Sequence, residues 1–173
     1  MNISFESSEP KQDVTEKIRE ELGALALSIS SEDTSRPWGA FFVIDHASEE
    51  KFIDDYFSDV SKEEIYKYGT NISPKILLVA PGQELSWQYH HRRAELWKVV
   101  KGPIGVVQSS DDEVTATKTY NDGQLIKHDT EVRHRLVGKD NWGIVAEIWQ
   151  HTDPSQPSDE DDIVRLQDNY GRN

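Results

Sequence analysis

Three side chains able to hold a metal, Gln88, His90 and Glu95, stand in the segment Pro81-Gly82-Gln83-Glu84-Leu85-Ser86-Trp87-Gln88-Tyr89-His90-His91-Arg92-Arg93-Ala94-Glu95, which Gly102 closes. A distant histidine, His134, is placed to add a fourth donor. Imidazole and carboxylate donors in one cluster suit a divalent transition ion, whereas calcium prefers an all-oxygen shell. Such an ion would act as a Lewis acid on a bound oxygen. Alternate residues of a strand face the same side, so Ser86, Gln88 and His90 share a face and Trp87 and Tyr89 turn away. A turn through His91–Ala94 puts Glu95, Trp97 and Val99 on one face of the next strand. Gln88, His90 and Glu95 then converge if the two strands pair as a hairpin.

The elements that must position these donors follow from periodicity and turn signals. Ile18, Leu22, Leu25 and Ile29 recur at helical spacing, which predicts a helix over Val14–Ser30 with Asp13 or Thr15 as its cap. The polar run Ser30–Ser35 reads as a linker, and Ala40–Ile44 reads as a strand. Ser48–Tyr68 is expected to be helical, with a break near Ser58-Asp59 and a capping box at Ser61 and Glu64. Beyond Gly69 short strands alternate with turns: Lys75–Ala80, Leu85–Tyr89, Leu96–Val100, Ile104–Gln108, Val114–Tyr120, Gln124–Lys127, Arg135–Val137 and Ile144–Trp149. That rhythm predicts a mainly β sandwich or barrel rather than βαβ units.

Composition sets the outer bounds. The chain has 173 residues, enough for one domain. We expect an N-terminal helical arm and linker over residues 1–35. A barrel domain over 36–173 would follow, carrying a helical insertion at about 48–70. With 19 basic and 32 acidic residues the net charge is −13, which argues against nucleic acid and anionic membranes as partners. An anionic substrate would need a local basic pocket, for which Arg92 and Arg93 are at hand. Cysteine is absent, which excludes disulfides and thiolate sites. No signal peptide or spanning segment is evident, so a soluble cytoplasmic protein is expected.

The segment opened above resembles the first motif of the cupin superfamily. From Gly82, five residues lead to Gln88-Tyr89-His90, four more to Glu95 and six more to Gly102, with Gln88 where the motif has a first His. The second motif resembles Gly123, five residues, Asp129-Thr130-Glu131, two residues, His134, three residues and Gly138; the motif's Pro, Gly and Asn are replaced. A closer resemblance is to the C-terminal cupin domain of type II mannose-6-phosphate isomerases, often fused to a mannose-1-phosphate guanylyltransferase. It rests on Arg36-Pro37-Trp38-Gly39, on Pro81 through Trp97, and on Glu160-Asp161-Asp162-Ile163-Val164-Arg165-Leu166 through Tyr170-Gly171-Arg172, with His134-Arg135-Leu136 in support. Residues 1–35 and about 48–70 have no counterpart, and no glycine-rich nucleotidyltransferase signature is present.

The resemblance implies a double-stranded β-helix, or jelly roll, and a homodimer. It also implies a metal set of Gln88, His90, Glu95 and His134, similar to the zinc set of type I phosphomannose isomerases. Zinc is the first choice, with manganese, iron, cobalt or nickel as alternatives. The implied activity is interconversion of mannose 6-phosphate and fructose 6-phosphate through a metal-stabilised enediol. Arg93 and Lys75 are the expected contacts to a sugar phosphate, and Trp97 an expected pocket wall. Lys98 is expected to point outward, and Arg165 and Arg172 to pin the tail. His91 is a minor candidate for metal or substrate contact. His46, His128 and His151 read as surface or rim histidines, and the tryptophans as core. The proton carrier stays open among Glu147, Glu84 and Asp129. Three alternatives stand beside the isomerase: a hydrogen-bonded polar network without metal, a non-catalytic sugar- or sugar-nucleotide-binding cupin supporting polysaccharide synthesis, and a metal cupin of other chemistry such as a dioxygenase.

Overall fold

In the computed structural model, which describes Met1 and residues 3–171, the N-terminal apolar stripe forms α1 (Lys11–Ala24) and buries Val14, Ile18 and Leu22. The helix begins earlier than the spacing predicts. Pro10 occupies the N-cap and no side chain caps the start, while Asp13 falls in the first turn. A proline there has no N–H to leave unpaired and a φ already suited to the entry. The helix also ends sooner, because Ala26 adopts a φ of 54°. The chain then runs into β1 (Ile29–Asp33) where a linker was expected. This strand pairs antiparallel with β2 (Gly39–Ile44) at a sheet edge, and Ser30, Ser31 and Glu32 face water. Its polar composition, usual for an edge strand, hid it from a hydrophobic pattern.

The segment expected to be helical resolves into a 3₁₀ turn at His46–Ser48, α2 (Glu49–Tyr56) and α3 (Lys62–Ile65). Ser61 Oγ accepts the Glu64 N–H at 3.2 Å, which forms the serine half of the capping box. The remaining strands are β3 (Ile72–Val79), β4 (Trp87–Tyr89), β5 (Arg93–Lys101), β6 (Ile104–Ser109), β7 (Lys118–Tyr120), β8 (Leu125–His128), β9 (Arg133–Gly138), β10 (Gly143–His151) and β11 (Val164–Gln167). Only the end of the expected Val114–Tyr120 strand forms; Val114 is exposed.

One sheet runs β1-β2-β3-β10-β5-β8 and the other β11-β4-β9-β6-β7. From β3 to β10 the chain crosses between the sheets at every step except β6–β7, a pair within the second sheet, which is the jelly-roll order of the double-stranded β-helix that the sequence resemblance implies. Leu77, Val79, Trp97, Val99 and Val145 of the first sheet meet Ile104, Val106 and Leu136 of the second inside the barrel. The outer face of the first sheet is covered as well. There Ile76, Leu78, Leu96, Ala146 and Ile148 pack with Val14, Ile18, Leu22 and Phe52 from the helices. Every residue of β10 is consequently buried, which erases the alternation a half-exposed strand would show. Lys98 does leave the barrel, but Asp59, between α2 and α3, covers it and accepts its ammonium at 2.6 and 2.7 Å.

One positional expectation is corrected. β4 and β5 do not form a hairpin: β4 pairs with β9 and β11, and β5 with β10 and β8. The two strands belong to opposite walls of the barrel, and the donors meet across its interior. Among the described residues, no helix is long and apolar enough to cross a membrane.

Candidate metal centre

His90, just past β4, His134 on β9 and Glu95 on β5 bring one donor atom each within 4.8 Å of one another, all buried. His90 Nδ1 donates to the Asp162 carbonyl at 2.6 Å, and His134 Nδ1 to the Val132 carbonyl at 2.9 Å. Both rings therefore present an Nε2 lone pair to the interior, the outer-shell arrangement that orients metal-binding imidazoles. Burial lowers His90 to about 3, so the ring is neutral near pH 7. His134 Nε2 stands 3.2 Å from Glu95 Oε2, and neither has a hydrogen-bond partner among the described residues. A lone pair facing a carboxylate oxygen at that distance is repulsive unless a metal cation or a proton lies between them. Burial alone would raise the Glu95 carboxyl, yet His134, His90 and Arg93 together hold it well below the usual carboxylate range. The donor set thus fits a divalent transition ion.

Gln88 sits opposite His134 in the β4–β9 register and lines the same cavity as Glu95. Its Oε1 accepts the Ser86 hydroxyl at 2.5 Å. Arg93 lies at the centre of the polar network. Its Nε donates to Glu95 Oε1 at 2.9 Å and its Nη2 to His90 Nε2 at 3.1 Å, while Nη1 reaches Ser158 and the Asp159 carbonyl. The guanidinium packs 3.4 Å over the Trp149 ring.

A cavity of about 80 Å³ opens above this cluster. β10 supplies its middle wall: Glu147 lies between Lys75 of β3 and Trp97 of β5, and Trp149 lies opposite Glu95. Trp97 Nε1 donates to Glu147 Oε1 at 2.9 Å. Burial, then the charge of Glu95, raises Glu147 to about 7. Lys75 is buried at the mouth, its ammonium 3.2 Å over the Trp149 ring and 2.6 Å from Glu160 Oε1. Desolvation lowers its pKa. Trp38, Phe41, Leu77 and Leu85 complete an apolar rim.

Other expectations divide. His46 is exposed, as expected, whereas His128 and His151 are buried. His128 stacks on His134 with centroids 4.3 Å apart, and its alternation with Ile126 on β8 is the signal that would have placed it inside. Gln108 Nε2, held by the Lys127 carbonyl, donates to His128 Nδ1 at 3.1 Å. The ring proton then sits on Nε2, so His128 offers no lone pair to a metal. His91 turns outward to Glu131. Glu84 pairs with Arg135 and the exposed Asp129 with Lys67, so neither faces the cavity. Arg165 lines the cavity, and Arg172 lies outside the described residues. Nothing in the spacing announced the Ser158–Asp162 segment, which reaches the mouth through the fold. The altered second motif has a structural account: Glu131 takes the motif's glycine position at a φ of 62°, and Gly138 takes its asparagine position.

The profile of the family described as mannose-6-phosphate isomerase C-terminal matches residues 49–168, so the helical segment at about 48–70, expected to have no counterpart, falls within the match. The chain belongs to that family. Among curated relatives of this family domain, xanthan biosynthesis protein XanB of Xanthomonas campestris pv. campestris (strain B100) is 35% identical over 137 residues, covering 79% of this chain and 23% of XanB. Alginate biosynthesis protein AlgA of Pseudomonas aeruginosa is 33% identical, covering 79% of this chain and 22% of AlgA. A mannose-1-phosphate guanylyltransferase of Salmonella montevideo is 27% identical over 84% of the chain and 24% of its own length. The domain thus spans about a quarter of these relatives. Among solved structures, CapF with the inhibitor 3-isopropenyl-tropolone matches with a TM-score of 0.51 at 17% identity, covering 82% of this chain and 34% of that one, a likeness of fold alone.

Proposed function

We propose that the domain is a metal-dependent aldose–ketose isomerase interconverting mannose 6-phosphate and fructose 6-phosphate. The observation that carries this reading is the facing pair of orphaned acceptors, His134 Nε2 and Glu95 Oε2, of which Glu95 lines a cavity that Lys75 and Arg93 also line. Family membership supports the substrate class.

Gln88, His90, Glu95 and His134 would hold the ion, with zinc the first choice. When bound it supplies Lewis-acid stabilisation of the negative charge that develops on the sugar's O1 and O2. Isomerisation also needs a proton carried between C1 and C2. Glu147 is suited to that role: its carboxyl lines the cavity and is raised to about 7. The Trp97 N–H fixes one of its oxygens and leaves the other to exchange the proton. Trp97 and Trp149 wall the cavity against water. Lys75 and Arg93 are placed for an anionic substrate. Occupation of the His90 Nε2 lone pair by a cation would free the Arg93 Nη2 donor that now uses it. We also propose a homodimer, which a monomeric mass by light scattering would exclude.

The decisive assay is incubation of zinc- or manganese-loaded protein with mannose 6-phosphate. Fructose 6-phosphate formation that disappears on chelation is the expected result. Sugar binding by the chelated protein without turnover would replace the isomerase by a non-catalytic binding domain.

A further inference from the structure

The cation at the cavity mouth already has an anion. Lys75 is 5% exposed in its side chain, while its partner Glu160 is 62% exposed. The pair therefore joins a fixed, largely desolvated ammonium to a carboxylate that stands mostly in water. The ammonium is immobilised over Trp149 and lies near Phe41. Glu160 belongs to a segment tied down on both sides of it. Asp159 holds Arg92 at 3.1 Å; Asp162 accepts the backbone N–H groups of His91 and Arg92 and the Ser158 hydroxyl. The Asp162 carbonyl also receives His90 Nδ1. Rotation of the Glu160 side chain alone would clear Lys75 while these anchors stay in place, a motion on the picosecond-to-nanosecond scale. Glu160 Oε1 stands 2.6 Å from the Lys75 ammonium, so an anionic group that binds that ammonium from the mouth takes the place of this carboxylate.

We propose that Lys75 is the subsite for the phosphate group of the substrate and that Glu160 is its resident competitor. Glu160 then sets a charge threshold: a phosphate dianion displaces one carboxylate, and a neutral sugar does not. The inference rests on the sugar-phosphate reading for its natural ligand, but not on turnover.

The test uses inorganic phosphate as the probe, titrated calorimetrically into the chelated full chain, so that no metal or catalysis is involved. Removing the competing charge with Glu160→Gln, at an exposed position that should not disturb folding, is expected to tighten phosphate binding about five- to tenfold. Lys75→Met in the same background is expected to abolish it. Equal affinity in wild type and Glu160→Gln overturns the proposal, as does phosphate binding that survives in folded Lys75→Met protein. The expected pattern in a protein that makes no fructose 6-phosphate upholds the subsite and overturns the isomerase instead.

Discussion

Burial and the nearby charge of Glu95 raise the Glu147 carboxyl from its ordinary 4.5 to about 7, which has two consequences of opposite sign. For stability, the unfolded chain releases this proton first, so between pH 4.5 and about 7 the folded state binds more protons and stability falls as pH rises. The loss is on the order of 3 kcal/mol, since each tenfold change in proton affinity is worth about 1.36 kcal/mol. Glu147→Gln keeps an oxygen for the Trp97 N–H and removes the ionisable group. Chelated variant should therefore be the more stable protein at pH 8 and differ little at pH 4.5, as denaturant titrations would show. In the proposed isomerisation the ionised form would be the base, so turnover should rise with pH along a limb set by Glu147. A bound cation beside Glu95 would cancel part of its repulsion and move that limb below about 7 in the loaded enzyme. In Glu147→Gln the limb should vanish and kcat fall ~10²–10⁴-fold. A variant with full activity and an unchanged pH profile would remove Glu147 from the mechanism.

At the level of elements, β9 joins the site to the fold. His134 lies near its start, and its last residue, Gly138, donates its N–H to the Gln83 carbonyl at 2.7 Å. A Cβ at Gly138 would stand 2.0 Å from the backbone oxygen of Ala80, so even alanine must displace the strand or the turn before β4. Gly138→Ala should cost at least about 2 kcal/mol by denaturant midpoint and also weaken metal binding through His134. Unchanged stability would mean that the two segments are not held this closely. The close approach explains why an asparagine cannot stand here, something no spacing rule reveals. Strands with strong apolar content were legible in the sequence because their residue types and turns marked them. β1 was not, since a polar edge strand carries no core pattern, and neither was the pairing of β4. Short separation along the chain suggested a hairpin, whereas the jelly-roll path sends β4 and β5 to opposite walls. Residue identities marked the candidate donors; which wall each comes from is a property of topology.

Across the whole molecule that wall assignment would give a bound metal a structural role. Glu95 belongs to the sheet whose outer face carries α1 and α2, while His90 and His134 belong to the facing sheet. A cation held by all three would tie one half of the barrel to the other, and the unfolded chain offers no such convergent set. Binding should therefore appear as global stabilisation. At a free zinc concentration of a hundred dissociation constants the gain is about 2.7 kcal/mol. For a chain of this size that corresponds to roughly 5–10 °C in Tm. Zinc should raise the Tm of chelated protein by that amount, and chelation should reverse it. His90→Ala/His134→Ala protein, freed of the buried repulsion but deprived of donors, should not respond to zinc. If zinc leaves the wild-type Tm unchanged while elemental analysis finds no bound metal, the two imidazoles and the carboxylate are a polar network without an ion. The repulsion between His134 Nε2 and Glu95 Oε2 would then have to be relieved by a shared proton, and the isomerase reading would lose its Lewis acid.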